Sequence, residues 1–597
     1  MSHSPLRRSR RAARLLTCGV AIALASISAA PAKTPAAPAK TPPALPADVM
    51  AAGKAIAPAR LEAHVRALAD DKMEGRGTGT RGYDMAAQYV AEQMQAIGLV
   101  PGGRGGYLQP VPFMRADLKP GACTFALVKE GQSVALEVGK DVILSPDYLR
   151  TKWTTEAPLV FAGYGVSAPE LDYDDFANLD VRGKVLVTFR GAPPRFPNDQ
   201  RAYYSNGLVK DQIAAARGAI GILQIQKPDD EARAPWERNM RQSKLPGFRW
   251  LDAGGAPANV QAAIELAGSF SPQAEPRVFE GSPKTYAQAV SDADSSRVQS
   301  FPLAWSVKAQ RVTEQAHTSC PNVVGVLRGS DPKLRSECIV VSAHLDHLGI
   351  SEPVNGDSIN NGAYDNASGT AMMLEVARAF ASLKVKPKRS MVFLSVTGEE
   401  KGLQGSDYFA RNDAPDSMDV MGDVNLDMVL MLRPLTKVVP IGGEHTSFGP
   451  VVERAAKLAG LETAPDPLPA EVVFVRSDQF SFIKQGVPAV FPVSGNDGSP
   501  EGSAEVGRWR VALPLPERRH EPAVRLAERR EVHLDGVLDR MDGGGRRPAP
   551  ALEPGRLLWR PLRRPALRAV ARNPAGARPV PCSVFRHPSR GSPPCEP

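Results

Sequence analysis

Four short segments between Val340 and Met428 carry side chains able to do chemistry. They are Val340-Val-Ser-Ala-His-Leu-Asp-His347, Gly362-Ala-Tyr-Asp-Asn-Ala-Ser-Gly369, Val396-Thr-Gly-Glu-Glu400 and Val424-Asn-Leu-Asp-Met428. Three of them follow apolar, β-branched runs of the kind that form buried strands, and Gly362 to Gly369 opens a helix. Each releases an imidazole or a carboxylate just past the end of its element. In an open α/β sheet, ligands collect outside the carboxyl ends of the strands. One histidine and several carboxylates converging there predict a metal site of borderline-hard character, zinc first.

Spacing suggests how the work divides. His344 can offer a ring nitrogen to a cation. Asp346, two residues further along an extended chain, points the same way and is expected to orient that imidazole through a hydrogen bond. Asp365 starts the turn into a helix, where a carboxylate can lie between two ions. Glu399 and Glu400 are neighbours past a strand end and point in different directions, so both can scarcely bind one ion equally. A carboxylate beside an activated water suits proton transfer, first as base and then as acid.

The ordered set His344-x-Asp346, Asp365-Asn-Ala-Ser-Gly369, Glu399-Glu400 and Asn425-x-Asp427 resembles the secreted di-zinc aminopeptidases, a family that includes glutamate carboxypeptidase-like zinc exopeptidases. The resemblance spans roughly residues 55–145 and 300–495. It implies an α/β fold, a mixed-sheet, phosphorylase/hydrolase-like three-layer sandwich, and two Zn2+ per chain. In it His344 and Asp427 hold the first ion, Asp365 bridges, Glu400 holds the second, and Glu399 moves the proton, with Asp346 as a further catalytic residue. The implied activity is removal of N-terminal residues from peptides by a di-zinc-bound hydroxide. Carboxypeptidase or dipeptidase action on the same scaffold, and a non-catalytic binding protein with a degenerate metal site, are the rival readings.

The pattern breaks once. The family closes its second zinc with a histidine in a Tyr-His-Ser/Thr-Pro context near the C-terminus, and His520, His533 and His587 all have other neighbours. Residues 511–597 hold 17 arginines and no lysine. Reading the codons of Val511 onward one nucleotide later permits Ser-Arg-Tyr-His-Ser-Pro-Asn-Asp-Asp-Met, the missing segment. The tail is therefore expected to be a frameshift product, disordered, and the second zinc to bind weakly, with activity reduced or lost.

Other candidates have blander expectations. His347 reads as a loop residue near the site rather than a ligand. Asp357 and His445 lack motif support. Arg476-Ser-Asp-Gln-Phe480 is similar to a family segment near the substrate pocket, without an assigned role. Gly75-Arg-Gly-Thr-Gly79 lacks the preceding strand and the lysine of a phosphate cradle and reads as an interhelical loop. Cys123, Cys320 and Cys338 have no metal-type spacing and read as buried apolar residues.

The chain of 597 residues carries a net charge of +9. Residues 1–32 contribute +5 and residues 511–597 contribute +8, which leaves −4 for the body. The high pI thus gives no reason to expect nucleic acid as a partner. Five arginines followed by the apolar run Leu15 to Ile27, too short to span a bilayer, and the small residues Ser28 to Ala32 read as a signal peptide over 1–32. Export to the periplasm or the medium is expected, with no membrane association after cleavage and peptides as partners. An Ala/Pro-rich linker follows over 33–54. The peptidase domain is expected in two parts, 55–149 and 296–510. Between them, the short β-type runs of 150–295 resemble an inserted protease-associated domain that shapes substrate access.

Overall fold

The computed structural model describes residues 45–295, 297–412, 414–429 and 435–495. The expected leader (1–32), most of the expected linker and the tail (511–597) lie outside them. Within the linker range, Ala47–Lys54 is a helix rather than a tether, though it buries no residue.

The central sheet contains β1 (Leu108–Leu118), the C-terminal part of β2 (Phe301–Leu327), β3 (Glu337–His344), β4 (Ser390–Val396), β5 (Asp419–Asn425) and β6 (Ala489–Ser494). They lie in the order β1-β2-β4-β3-β5-β6. β3 is parallel to both β4 and β5, and β2 is antiparallel to β1 and β4. Asn322–Leu327 and Cys338–Ser342 look in sequence like a strand pair across a polar turn. They are not paired: β4 lies between them. The long helical crossover before β4 returns that strand to the centre, as parallel neighbours require.

β3 and β4 are buried on both faces, which explains their continuous apolar runs. On one face pack α1 (Pro58–Leu68), α2 (Arg81–Ile97) and α3 (Ser368–Ser382). Phe380 of α3 meets Phe393 of β4 there at 6.4 Å between ring centroids. On the other face, Val340, Val392 and Leu394 pack with Phe409 of α4 (Gln404–Arg411) and Phe482 of α5 (Gln479–Ile483). The result is the expected helix–sheet–helix sandwich.

A second sheet occupies the middle of the chain. Its order is Gln132–Ala135, Thr124–Lys129, the N-terminal part of β2, Lys152–Phe161, Val185–Phe189, Gly221–Ile225, Leu266–Phe270 and Val142–Leu144. Its core takes side chains from Cys123 to Ala309, so it reaches beyond the 150–295 range set by composition. β2 runs unbroken for 27 residues and belongs to both sheets. A strand from the middle segment, Gly247–Trp250, also adds antiparallel to β1 in the central sheet.

Among the described residues, no helix is long and apolar enough to cross a membrane. Cys123, Cys320 and Cys338 are free and buried, as their composition suggests.

Candidate metal centre

Strand register brings the chemistry together. His344 lies opposite Val396, and Ser342 lies opposite Asn425. Three parallel strands therefore end at one level, and the loops carrying Glu399, Glu400 and Asp427 leave from beside His344. Leu345 N–H donates to Val396 O and Leu426 N–H to Ser342 O, each at 2.8 Å, so the pairing continues into the loops.

The turn into α3 delivers Asp365. Asn366 beside it anchors the turn. Its Nδ2 donates to Leu426 O at 2.9 Å, while its Oδ1 accepts from Gly369 N–H at 2.9 Å and Met428 N–H at 3.0 Å. Gly369 is required here, because a Cβ would stand 2.1 Å from Leu426 O. Gly398, at φ +67°, supplies the left-handed bend that turns the chain from β4 toward Glu399.

Two groups of ligand-type atoms result, and they share Asp365: His344 with Asp365 and Asp427, and His347 with Asp365 and Glu400. His344 Nε2 lies 3.2 Å from both Asp365 Oδ1 and Asp427 Oδ1. Ligands about 2.0–2.1 Å from a tetrahedral ion stand roughly 3.3 Å apart, so the first group fits zinc. In the second group His347 Nδ1 is 2.7 Å from Glu400 Oε1 and 4.0 Å from Asp365 Oδ1. Both atoms are buried; burial would raise the Glu400 carboxyl, but its contact with His347 holds it down at about 2. At 2.7 Å the two stand as an ion pair, closer than two ligands of one tetrahedral zinc, so a cation held here would have to part them.

His347 thus lies in the site, against Glu400 and Asp365, which come from 53 and 18 residues further along the chain. The Asp346 expectation changes. The oxygen that meets His344 Nδ1, at 3.0 Å, is the Asp346 carbonyl, not its carboxylate. The carboxylate faces the next loop, accepting from Glu399 N–H at 3.0 Å, Glu400 N–H at 3.3 Å and Thr78 Oγ1 at 2.9 Å. Asp346 therefore positions the two glutamates.

Thr78 belongs to the Gly75–Gly79 loop, as does Arg76. The Arg76 guanidinium is fully buried and donates to the carbonyls of Leu345, Leu68, Asn361 and Gly362 at 2.6–2.8 Å. Burial lowers its pKa to about 10, with Asp365, Asp346 and Glu400 opposing. The loop fixes the segments before Asp346 and Asp365, a role its glycines gave no sign of. Ser477, in the segment left without a role, donates to Asp427 Oδ2 at 2.7 Å and accepts from Asn425 Nδ2 at 2.7 Å.

The electrostatics are strongly perturbed. Burial raises the Glu399 carboxyl well above the ordinary range; Glu400, Asp478 and Asp427 add to the rise and His344 opposes it. Burial likewise raises Asp478 to about 7. Burial would lower His344, but the Asp427 and Glu399 charges and its contacts to Asp365 and Asp427 outweigh it and raise its pKa. Crowding of buried acids is the condition a bound cation relieves. Among the described residues the Glu399 side chain makes no hydrogen bond, and it faces the cleft. A third His–carboxylate group, Asp199, Glu444 and His445, lies apart from the cleft; His445 Nε2 is 3.1 Å from Asp199 Oδ2.

An α/β sheet with two candidate cation-binding groups at its strand ends, joined by one carboxylate, presents a donor set that suits zinc. Residues 322–509 match the profile described as Peptidase family M28. The chain is 32% identical over 197 residues to a "Probable zinc metalloprotease" of Phaeosphaeria nodorum, covering 29% of this chain and 38% of that protein. It is 28% identical over 221 residues to a "Probable zinc metalloprotease" of Pyrenophora tritici-repentis, covering 35% of this chain and 41% of that protein. The chain thus spans well under half the length of these relatives. Among solved structures it is similar to an aminopeptidase from Aneurinibacillus sp. strain AM-1, at 19% identity and TM-score 0.46, covering 81% of this chain and 96% of that chain.

Proposed function

We propose that the chain is an exported zinc-dependent exopeptidase, an aminopeptidase that removes N-terminal residues from peptides. The observation that carries this reading is the pair of three-ligand groups sharing Asp365, with the unbonded Glu399 carboxylate beside them in one cleft. His344, Asp365 and Asp427 would hold one zinc, and His347, Asp365 and Glu400 a second. Zinc there would supply Lewis-acid polarisation of the scissile carbonyl and make a water acidic enough to attack. His347 fills the third place in the second group, which the family fills from its C-terminus, so this centre needs no histidine from 511–597.

The chain's own residues do the rest. The Asp346 carboxylate, gripping two amide N–H groups, fixes where Glu399 points. Glu399 takes the proton of the attacking water on its free carboxylate and returns it to the leaving amine; burial, which favours the protonated form, suits it to hold that proton between steps. Ser477 and Asn425 keep Asp427 turned toward His344. The middle segment, which we read as an inserted protease-associated module, contributes one wall of the cleft and limits which peptides enter. We further read 511–597 as out of frame, which resequencing the codons around Arg510 tests.

Zinc content and hydrolysis by the full-length protein, with an aminoacyl-anilide against an N-blocked peptide, test the assignment. Cleavage of the anilide alone supports it, and cleavage of the blocked peptide alone replaces it with a carboxypeptidase. Glu399→Gln should lower turnover about 10²–10⁴-fold with zinc content unchanged.

A further inference from the structure

The cleft over the metal centre, about 560 Å³ in volume, has a wall of cations. Arg190, Arg201, Lys227, Arg233, Arg238 and Arg476 line it, against Asp230, Glu471 and Glu399 outside the metal-binding residues. Three of the six are already engaged: Arg233 with Asp230, Lys227 with Asp294 at 3.0 Å, and Arg476 with Glu471 at 3.6 Å. The other three, Arg201, Arg190 and Arg238, form no ion pair and no side-chain hydrogen bond among the described residues, and of these Arg190 and Arg238 are close enough to repel one another. They come from the middle segment, the first just past the strand Val185–Phe189 and the second in the helix Trp236–Ser243.

Like charges crowd these two. Burial lowers the pKa of Arg238, Arg476 and Arg190 lower it further, and Glu400 and Asp365 of the metal site oppose. Arg190 is exposed by surface area, yet loss of hydration within the cleft lowers its pKa as well, with Arg476 and Arg233 adding to it against Asp230 and Glu471. Arg238 is therefore close enough to feel the metal-site acids. Zinc bound there would offset those negative charges and leave the cleft distinctly positive. A guanidinium presents a planar fork that matches a carboxylate through two parallel hydrogen bonds. Unpaired forks in a cleft large enough for one or two residues are a receptor waiting for an anion.

We propose that this cleft selects peptides carrying a carboxylate within a residue or two of the scissile bond, held by Arg190 and Arg238. The inference rests on the peptidase reading for its choice of a peptide. The carboxylate has two possible sources, an acidic side chain or the free C-terminus of a short peptide, and one set of probes separates them.

The test is calorimetric binding to the full-length, zinc-loaded protein carrying Glu399→Gln, which stops turnover. The probes are alanyl-glutamate amide, alanyl-glutamine amide and alanyl-glutamine with a free carboxyl. Tighter binding of the first over the second, by about tenfold, assigns the site to an acidic side chain; tighter binding of the third assigns it to the chain terminus. Arg238→Gln and Arg190→Gln should weaken the carboxylate probe about tenfold more than the amide, and Arg238→Lys should recover part of the loss. Equal affinity for all three probes, or losses falling equally on charged and neutral ones, overturns the proposal. Carboxylate preference in a wild-type chain that hydrolyses no peptide would leave this site standing and remove the peptidase reading. Hydrolysis without preference would do the reverse.

Discussion

His347 Nδ1 and Glu400 Oε1 stand 2.7 Å apart in a buried ion pair. If a second cation lies between them, His347→Ala in the full-length protein should lower the zinc content measured by elemental analysis from two per chain to one. Asp427→Asn should instead strip the ion held with His344. A zinc content unchanged by His347→Ala would remove His347 from the ligand set.

Asp346→Asn keeps the carbonyl that meets His344 but puts an amide where a carboxylate accepts from two backbone N–H groups and Thr78. An amide nitrogen cannot accept, so the Glu399–Glu400 loop loses a fixed point. We expect kcat to fall about 10–100-fold with KM little changed, read from steady-state kinetics. A larger change in KM than in kcat would mean that Asp346 serves substrate binding instead.

Arg76 satisfies four buried carbonyls from segments as far apart as Leu68 and Gly362. Arg76→Met keeps much of the volume and orphans all four. Unfolding in urea should show a loss of more than about 3 kcal/mol, well beyond an ordinary surface change.

Asp407 of α4 is buried among Lys484 at 2.8 Å, Arg411 at 3.0 Å and the Trp250 indole N–H at 2.9 Å. Burial would raise its carboxyl, but the Lys484 and Arg411 charges prevail and hold it at about 2, below the ordinary 3.8. A folded-state value below the unfolded one stabilises the fold above pH 3.8, and that gain is lost as pH falls toward 2. The shift corresponds to roughly 2 kcal/mol. Denaturation of wild type and Asp407→Asn at several pH values should therefore converge as the solution is acidified. A constant difference would show that the charge is not what matters.

Three of the four segments that meet at the candidate site were legible because each follows a strand whose apolar run is unmistakable, and strand ends are where an α/β sheet puts its chemistry; Asp365 comes instead from the turn into α3. The supporting contacts were not. Sequence spacing says that Asp346 follows His344 by two, but not whether the carbonyl or the carboxylate meets the ring. Arg76 and Thr78 find partners some 270 to 290 residues away. No local period announces such a meeting, and a glycine-rich loop looks the same whether idle or structural. The strand pair expected at Asn322–Ser342 failed for a related reason, since a short polar turn resembles a hairpin even when a later strand inserts between its arms. The extent of the middle segment was misjudged because β2 shows no break in composition where it passes from one sheet to the other.

That passage matters for how the protein can change. The chain leaves the central sheet at the end of β1 and comes back on its antiparallel partner, Thr313 facing Leu118 and Val323 facing Leu108. The segment between is joined to the central sheet by this two-stranded stalk and by Gly247–Trp250 on β1; the root of the stalk is Asn322, which accepts from the amide of Thr397, two residues before Glu399. Residues can be gained or lost at the far end of such a stalk without disturbing its root. The specificity wall is thereby free to drift while the proton-transferring glutamate stays where the sheet has put it.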